Sequence, residues 1–303
     1  LEGRPLDSLG LDDGVRGRLA YLVSPQVETD APSISILIEC ADEADDAKAA
    51  LDAIEFQDEQ SFEVLFFPPA DANSRYAQLM TDFTENDCRA RVLPTRDVAS
   101  ALASARGTYL VRSYANVVYD PQAFDQLLQL AGEREGRTVV GDREPYDIAV
   151  FTDSAGMLGV RDLFDFYEPS TTEAIVPEGA HPASDFSSQL FSFSSIASAN
   201  KAFNREFLLQ CAKESQCFTW LGLQCAAFSQ ATKIVVTKRP LATLCCLPFA
   251  STGLVGARAM LDDVFSGFEE ARTNFAGDEE ATRGLDAAAA RHLILMVDLI
   301  RNP

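Results

Sequence analysis

In the first part of the chain, segments whose apolar residues have the pattern of a β-strand alternate with segments whose apolar residues have helical spacing. Ile34, Ile36 and Ile38 form a β-branched run of the kind found in buried parallel strands. Residues 41–56 then carry apolar side chains at helical spacing with acidic residues between them, and residues 63–67 are apolar again before a Pro-Pro pair. Strand and helix patterns alternate roughly every 15 residues, which predicts a doubly wound α/β sheet.

The alternation continues along the rest of the chain. We predict further helices at 76–85, 97–105, 122–133 and 220–230, a partly helical segment at 199–211, and strands at 91–93, 109–111, 138–140, 148–151 and 233–237. Gly107 follows the helix at 97–105 and is predicted to be its C′ residue, where glycine is favoured. From about residue 254 the chain is predicted to be helical. Residues 287–300 are apolar on nearly every face, which is typical of a helix that is buried or docks on another domain.

The size and charge of the chain narrow the classes of function. It has 303 residues, of which 47% are hydrophobic, enough for one large α/β domain with a smaller helical part. We divide it into an N-terminal extension (1–31), a main domain (32–250) and a C-terminal helical segment (251–303). The net charge of −21 argues against nucleic acid, or an anionic membrane surface, as the main partner.

The apolar runs and the cysteines indicate in which part of the cell the protein resides. Apolar runs stay shorter than the roughly 18 residues that indicate a membrane-spanning helix, so we expect no integral membrane segment. The seven cysteines form no Cys-x-x-Cys pair, which fits neither a disulfide framework nor a zinc site. We expect most of them to be buried, reduced thiols in a cytoplasmic protein. Only two histidines are present, so a His-rich metal site is excluded. The chain begins at Leu1, and we expect it to be part of a longer protein.

Several short motifs in residues 32–245 carry a resemblance to a known family. They are Pro32–Ile38, Phe62–Glu63, Gly107–Leu110, Asp120–Pro121 and Asn200–Phe203. In order, spacing and apolar register this part of the chain resembles the family-2 glycosyltransferases. The resemblance implies a GT-A-like, doubly wound, mostly parallel sheet, here with a C-terminal helical appendage. It also implies a nucleotide-sugar or a glycan as partner, and Mn²⁺ or Mg²⁺ as the metal the family would use.

The polar motifs of that family are replaced in this chain. The acids that end the second strand fall on Pro68–Asp71, which leaves only Asp71. The Asp-x-Asp pair that holds the metal falls on Tyr114 and Asn116, which carry no charge near pH 7. The acidic pair that includes the catalytic base falls on Thr219 and Trp220, neither of which accepts a proton from a sugar hydroxyl. We therefore predict no metal ligands and no cofactor, and the sequence does not identify a catalytic residue.

The remaining candidates for nucleotide binding lie near the ends of the predicted strands. They are Cys40, Asp71, Arg96, Tyr114 and Asn116. Four of them have a plainer interpretation: Asp71 as a solvated loop acid, Arg96 as a surface arginine, and Tyr114 and Asn116 as a remodelled strand end. Trp220 could stack on a sugar or anchor the core.

Three hypotheses follow. The first is a glycosyltransferase-like domain of a larger cell-surface glycan protein, capsule or teichoic in type, with weak or no catalysis, which binds glycan or positions a neighbouring domain of the same parent chain. The second is an active, metal-independent inverting transferase that uses Arg96 and Arg112, or displaced acids such as Glu178 and Asp185. The third is a docking module that uses the apolar helix at 287–300.

Overall fold

The structure is a computed structural model. It describes residues 31–39, 47–69, 71–115, 117–132, 145–155, 178–185, 199–244 and 264–301. The predicted extension (all but its last residue), the predicted strand at 138–140, Cys40 and Asn116 lie outside the described residues.

Strands and helices alternate along the described chain. The strands are β1 (Ile34–Glu39), β2 (Phe62–Phe66), β3 (Ala90–Val92), β4 (Tyr109–Tyr114), β5 (Val117–Tyr119), β6 (Ile148–Ala155), β7 (Gly179–His181), β8 (Lys201–Asn204) and β9 (Ile234–Leu244). The helices are α1 (Ala47–Glu55), α2 (Arg75–Asn86), α3 (Val98–Ser104), α4 (Ala123–Leu130), α5 (Arg205–Ser215), α6 (Trp220–Gln230), α7 (264–274) and α8 (Glu279–Arg301). A 3₁₀ turn spans Ala183–Asp185.

The described strands form one nine-stranded sheet in the order β3-β2-β1-β4-β8-β6-β9-β5, with β7 also paired to β9. Strands β3, β2, β1 and β4 are mutually parallel, and so are β6 and β9. Strand β8 runs antiparallel between β4 and β6, while β5 and β7 are antiparallel to β9. The strands at the two ends of the order, β3 and β5, have only three residues each. The predicted doubly wound α/β class is confirmed.

The segment predicted as partly helical at 199–211 divides into a strand and a helix. Lys201–Asn204 is β8, and α5 begins directly after it. The division falls at Asn204, whose Oδ1 accepts a hydrogen bond from the backbone N–H of Phe207 at 3.1 Å. Asparagine is a favoured N-cap because its side chain satisfies a free N–H of the first helical turn.

Two apolar cores lie on the two faces of the sheet. Alternate residues of β1 separate between them: Ile36 and Ile38 belong to the core under α1, α2 and α4, whereas Leu37 belongs to the core under α3, α5 and α6. The second core also contains Phe268 of α7 and Leu285 of α8. The described part of the C-terminal helical segment therefore packs on this domain itself. No helix within the described ranges is long and apolar enough to cross a membrane.

A buried carboxylate joins three strands at the amino edge of the parallel sheet. Glu63 of β2 is 1% exposed and accepts hydrogen bonds from Ser35 Oγ (2.6 Å), the Arg106 backbone N–H (2.6 Å) and Arg91 Nη2 (2.9 Å). Burial opposes its ionisation most strongly, but these donors and the Arg106 guanidinium outweigh burial and lower the pKa of Glu63. The amino edge is thus held by an ionic network centred on Glu63.

Gly107 belongs to this edge, and its predicted role as a helix C′ residue is wrong. Helix α3 ends at Ser104, and its C-cap residue, Ala105, has extended backbone angles (φ −67°, ψ 136°). A Cβ atom on Gly107 would lie 2.4 Å from the backbone N of Ser35. Glycine is required here because β1 and the start of β4 approach too closely for a side chain.

Candidate functional site

The carboxyl ends of the parallel strands meet at the opposite edge of the sheet. Glu39, the last residue of β1, lies in register with Tyr114, the last residue of β4. Phe67 directly follows β2, and its ring packs edge-on against Trp220, the first residue of α6, with 6.3 Å between ring centroids. In open α/β sheets this edge is where ligands bind. We call Glu39, Arg96, Arg112, Tyr114 and Trp220 the carboxyl-edge cluster.

Arg112 lies at the centre of the carboxyl-edge cluster. Its side chain is 10% exposed. The guanidinium carbon lies 5.3 Å from the ring centroid of Tyr114 and 5.4 Å from that of Trp220. It also donates a hydrogen bond from Nη1 to the Tyr114 hydroxyl at 3.3 Å. Aromatic faces attract a guanidinium more strongly when water is excluded, so the two rings help to hold this buried cation.

Glu39 is the counter-ion of the cluster. Its carboxylate accepts a hydrogen bond from Arg112 through Oε2, and lies 3.3 Å from Arg96 Nη2 through Oε1. Burial opposes ionisation and is the largest single influence on this group. The charges and hydrogen bonds of Arg112 and Arg96 nevertheless outweigh it, so the pKa of Glu39 lies below its usual value. One carboxylate therefore faces two guanidiniums, and one positive charge remains in excess.

The family's base position is occupied by a helix cap and an aromatic ring. Thr219 is the N-cap of α6, and its Oγ1 accepts a hydrogen bond from the Gly222 N–H at 3.0 Å. The Thr219 N–H in turn donates to Glu270 of α7 at 3.0 Å. The indole Nε1 of Trp220 is buried and has no hydrogen-bond partner among the described residues. Trp220 is at once a core contact, through Phe67, and one wall of the carboxyl-edge cluster.

The other candidates predicted from sequence are distributed unevenly. Arg96 and Tyr114 lie in the carboxyl-edge cluster, whereas Asp71 is exposed and accepts a hydrogen bond from the Asn73 N–H at 2.9 Å in the loop before α2. Cys40 and Asn116 flank Glu39 and Tyr114 in sequence, but lie outside the described residues.

The two displaced acids lie on the far half of the sheet. Glu178 accepts a hydrogen bond from Thr237 Oγ1 of β9 at 3.0 Å. Asp185 follows β7, which runs antiparallel to β9 and ends opposite its first residue, so Asp185 lies at the amino edge of the parallel strands. There it faces His181, with 3.4 Å between Oδ2 and Nδ1. Asp185 is thus remote from the carboxyl-edge cluster, and Glu178 is engaged with β9.

The metal of the resembling family does not fit the described residues. These residues contain no group of three His, Cys, Asp or Glu side chains that could hold a metal ion. Tyr114, at the first Asp position, lies beneath a guanidinium, and a divalent cation placed there would meet a buried positive charge at short range. Anion binding suits this arrangement better than cation binding does.

A second buried cation lies in the Asn-Lys-Ala-Phe segment. Lys201 of β8 is 0% exposed, and its Nζ donates a hydrogen bond to Asn200 Oδ1 at 2.8 Å. Burial lowers the pKa of Lys201 to about 7, against a smaller opposing effect of Cys225 on α6. Burial also raises the pKa of the Cys211, Cys217 and Cys225 thiols to about 12. The burial of these three cysteines was expected from the sequence, and a buried thiol with a raised pKa is unreactive, whereas Cys88 is exposed.

Glu39 is the residue of the candidate site that sequence reasoning missed. The only signal was indirect: Arg112 directly follows the strand predicted at 109–111, and an arginine that is buried there requires an anionic partner. The partner could be identified only from the register of β1 with β4.

Comparisons with known proteins bear on the fold. No family model matches the chain, and no curated protein matches it in sequence. Among solved structures, S. aureus TarS 1–349 superposes with a TM-score of 0.55 at 13% identity, covering 86% of this chain and 70% of that chain. TarS 1–349 in complex with UDP gives 0.55 at 14% identity, with the same coverage. A longer TarS structure gives 0.53 at 13% identity, covering 86% of this chain and 42% of that chain.

The chain has a GT-A-like fold. The predicted fold class and its structural resemblance to GT-A glycosyltransferases are confirmed by these superpositions. At such low identity the likeness establishes the fold alone, and function must be argued from the site.

Proposed function

We propose that this chain is a glycosyltransferase-like domain of a cytoplasmic protein in cell-surface glycan assembly, capsule or teichoic in type, with weak or no metal-dependent transfer. Its role would be to bind a glycan or to position a neighbouring domain of the same parent chain. We further propose that residues 32–250 form the transferase-like unit and residues 251–303 a helical segment packed on it. The observation that carries the proposal is the Arg112 guanidinium, which lies over Tyr114 and Trp220 and is paired with Glu39.

Sugar transfer places two requirements on a site, one for the leaving group and one for a base. Transfer from a nucleotide-sugar creates negative charge on a departing diphosphate, which a metal or fixed cations must stabilise. It also requires an acceptor for the proton of the attacking hydroxyl. Here Tyr114 replaces an expected metal ligand, and Thr219 and Trp220 replace the base, so both requirements lack their usual groups.

One observation favours a second function, a metal-independent nucleotide site. Arg96 and Arg112 converge on the same carboxylate, and arginine binds phosphate oxygens in the same forked geometry as carboxylates. A diphosphate that displaced Glu39 would meet both guanidiniums. Such a domain would be an inverting transferase that uses arginines in place of the metal.

Calorimetric titration of UDP, with and without Mn²⁺, tests these alternatives. The proposal expects no Mn²⁺-dependent binding. Micromolar binding that requires Mn²⁺ would overturn it. Binding without metal that is lost in Arg112→Gln, but retained in the matched exposed variant Arg272→Gln, would establish the second function.

A paired substitution tests whether the cleft is otherwise intact. In Tyr114→Asp/Asn116→Asp the expected metal ligands are restored. Mn²⁺ affinity that appears in calorimetry would mean that the missing acids alone kept the cation out. Absence of any gain would mean that the Arg112 guanidinium, rather than the missing acids alone, keeps the cation out. The triple variant that adds Arg112→Phe separates these causes.

A further inference from the structure

An open cavity lies beside the start of α6, and its lining shares no residue with the carboxyl-edge cluster. It has a volume of about 490 Å³ and lies between the end of α5, the turn before α6, and α7. This volume is within the roughly 300–1,000 Å³ typical of small-ligand sites. Its walls include Glu214 and Gln216 from the end of α5, Phe218 from the turn, and Glu270 and Asn274 from α7.

Phe218 gives the cavity an aromatic wall that faces solvent. The residue is 82% exposed, the highest value among the exposed large hydrophobic residues of the described chain. Its backbone is nevertheless fixed, because its N–H donates to Glu270 Oε1 at 2.6 Å. An exposed aromatic ring on a fixed backbone does not gain the favourable free energy of removing its apolar surface from water. A ligand that covers the ring would provide that free energy.

The polar groups of the cavity suit hydroxyl ligands. Gln216 has a left-handed backbone (φ 50°, ψ 41°), the only such non-glycine residue in the described ranges, at a helix end where glycine is usual. The residue lines the cavity despite this strain. The carboxylate of Glu214 accepts one hydrogen bond, from Gln210 at 2.9 Å, and retains further acceptor capacity.

The negative charge of the cavity lining favours neutral ligands over anionic ones. The described lining contains two carboxylates, Glu214 and Glu270, and neither lysine nor arginine. Phosphorylated or acidic sugars would be repelled, whereas the hydroxyl groups of a neutral sugar can donate to the carboxylates. The carboxyl-edge cluster, with its excess positive charge, has the opposite preference.

We propose that this cavity binds a neutral pyranose unit of a glycan, with one sugar face against Phe218 and its hydroxyls hydrogen-bonded to Glu214 and Gln216. The inference rests on the proposed function in so far as that function gives the domain a glycan to hold. An aromatic face matches the C–H face of a pyranose, while the carboxylate and amide at the rim match its equatorial hydroxyls.

The test uses saturation-transfer NMR and calorimetry with the full chain. The probes are neutral methyl glycosides and neutral oligosaccharides, with glucose 6-phosphate as the anionic counterpart. We expect at least one neutral saccharide to bind. Phe218→Ala should weaken the affinity for that saccharide tenfold or more, and Gln216→Gly should weaken it severalfold. The matched control is Phe265→Ala, which removes another exposed phenyl ring outside the cavity lining. Glucose 6-phosphate should bind more weakly than the neutral sugars.

Each contrary outcome has a definite meaning. If no neutral saccharide binds at tens of millimolar, or if Phe218→Ala binds as well as the unmodified chain does, the cavity proposal is overturned. If binding is lost in Trp220→Ala but kept in Phe218→Ala, the glycan lies at the carboxyl-edge cluster, and the proposed function survives without this site. The UDP titrations should be unchanged in Phe218→Ala, so the two proposals can fail separately.

Discussion

Replacing Lys201 by Met should stabilise the protein and remove part of its pH dependence. Burial lowers the pKa of Lys201 from 10.5 to about 7. At about 1.4 kcal/mol per pKa unit, keeping this ammonium out of water costs on the order of 5 kcal/mol where the group is protonated in both states. Met has a similar length and no charge, but leaves Asn200 Oδ1 without this donor, a loss of about 1 kcal/mol. The free energy of unfolding should therefore rise by about 4 kcal/mol at pH 6.

The sign of the pH effect follows from proton binding. Between the folded pKa, about 7, and the unfolded value, 10.5, the unfolded chain binds more protons, so the unmodified protein gains stability as the pH rises. The advantage of Lys201→Met should shrink by about 1 kcal/mol from pH 6 to pH 8, and by about 3 kcal/mol from pH 6 to pH 9. The buried thiols, whose pKa is raised, destabilise the folded state at high pH. Lys201 lowers the pKa of the Cys225 thiol, but burial keeps that pKa at about 12. All three thiols therefore stay protonated in the folded state up to pH 9, and their contribution cancels in the difference.

Urea unfolding followed by circular dichroism at pH 6, 7, 8 and 9 measures this difference. The matched control is Lys213→Met, which removes an exposed lysine of α5 and should leave the pH profile unchanged. A difference between Lys201→Met and the unmodified chain that stays constant with pH would refute the reasoning. Lower stability of Lys201→Met at pH 6 would do the same, since it would mean that the buried ammonium is well compensated.

Three further substitutions test other parts of the structure. Gly107→Ala should lower the free energy of unfolding in urea by about 3 kcal/mol, because the added Cβ would meet the Ser35 backbone. A decrease of less than about 1 kcal/mol would contradict that contact. Glu39→Gln should cost about 2 kcal/mol at pH 7, since Arg112 loses its anion. The pKa of Glu39 is lowered, so its contribution to stability is present above the unfolded pKa and lost as the pH falls through the folded one. The acid-side loss of stability in thermal unfolding should therefore be smaller in Glu39→Gln, where Glu63 still contributes. Gln216→Gly should raise stability by about 1 kcal/mol in the same assay, and no gain would argue against strain at that position.

The parts of the fold predicted from sequence are those whose pattern is long and local. Strands β1, β2 and β4 are buried apolar runs, and α6 occupies the predicted residues Trp220–Gln230. Strands β5, β7 and β8 were not predicted, because they have three or four residues and are strands only by pairing with distant partners. Lys201 illustrates this: nothing in its local sequence identifies a strand, whereas the pairing of β8 with β4 and β6 does.

The carboxyl-edge cluster was predicted in part, for a similar reason. Alignment to family motifs selected Arg96, Tyr114 and Trp220, and the structure places these residues together. The ion pair between Glu39 and Arg112 depends on the register between two strands far apart in sequence. Sequence spacing does not encode that register, so the counter-ion of the cluster was found only in the structure.

The short strands at both ends of the sheet affect how copies of this protein meet. An exposed strand edge offers unpaired N–H and C=O groups on which another chain can add a strand. One end of the sheet is β3, and at the other end both β5 and β7 pair with β9. Each of these three strands has three residues, so each end offers only short stretches of such groups. The net charge of −21 adds repulsion between copies. Among the described strands, neither end of the sheet is therefore a good template for edge-to-edge aggregation, and any self-association at high concentration should occur through other surfaces.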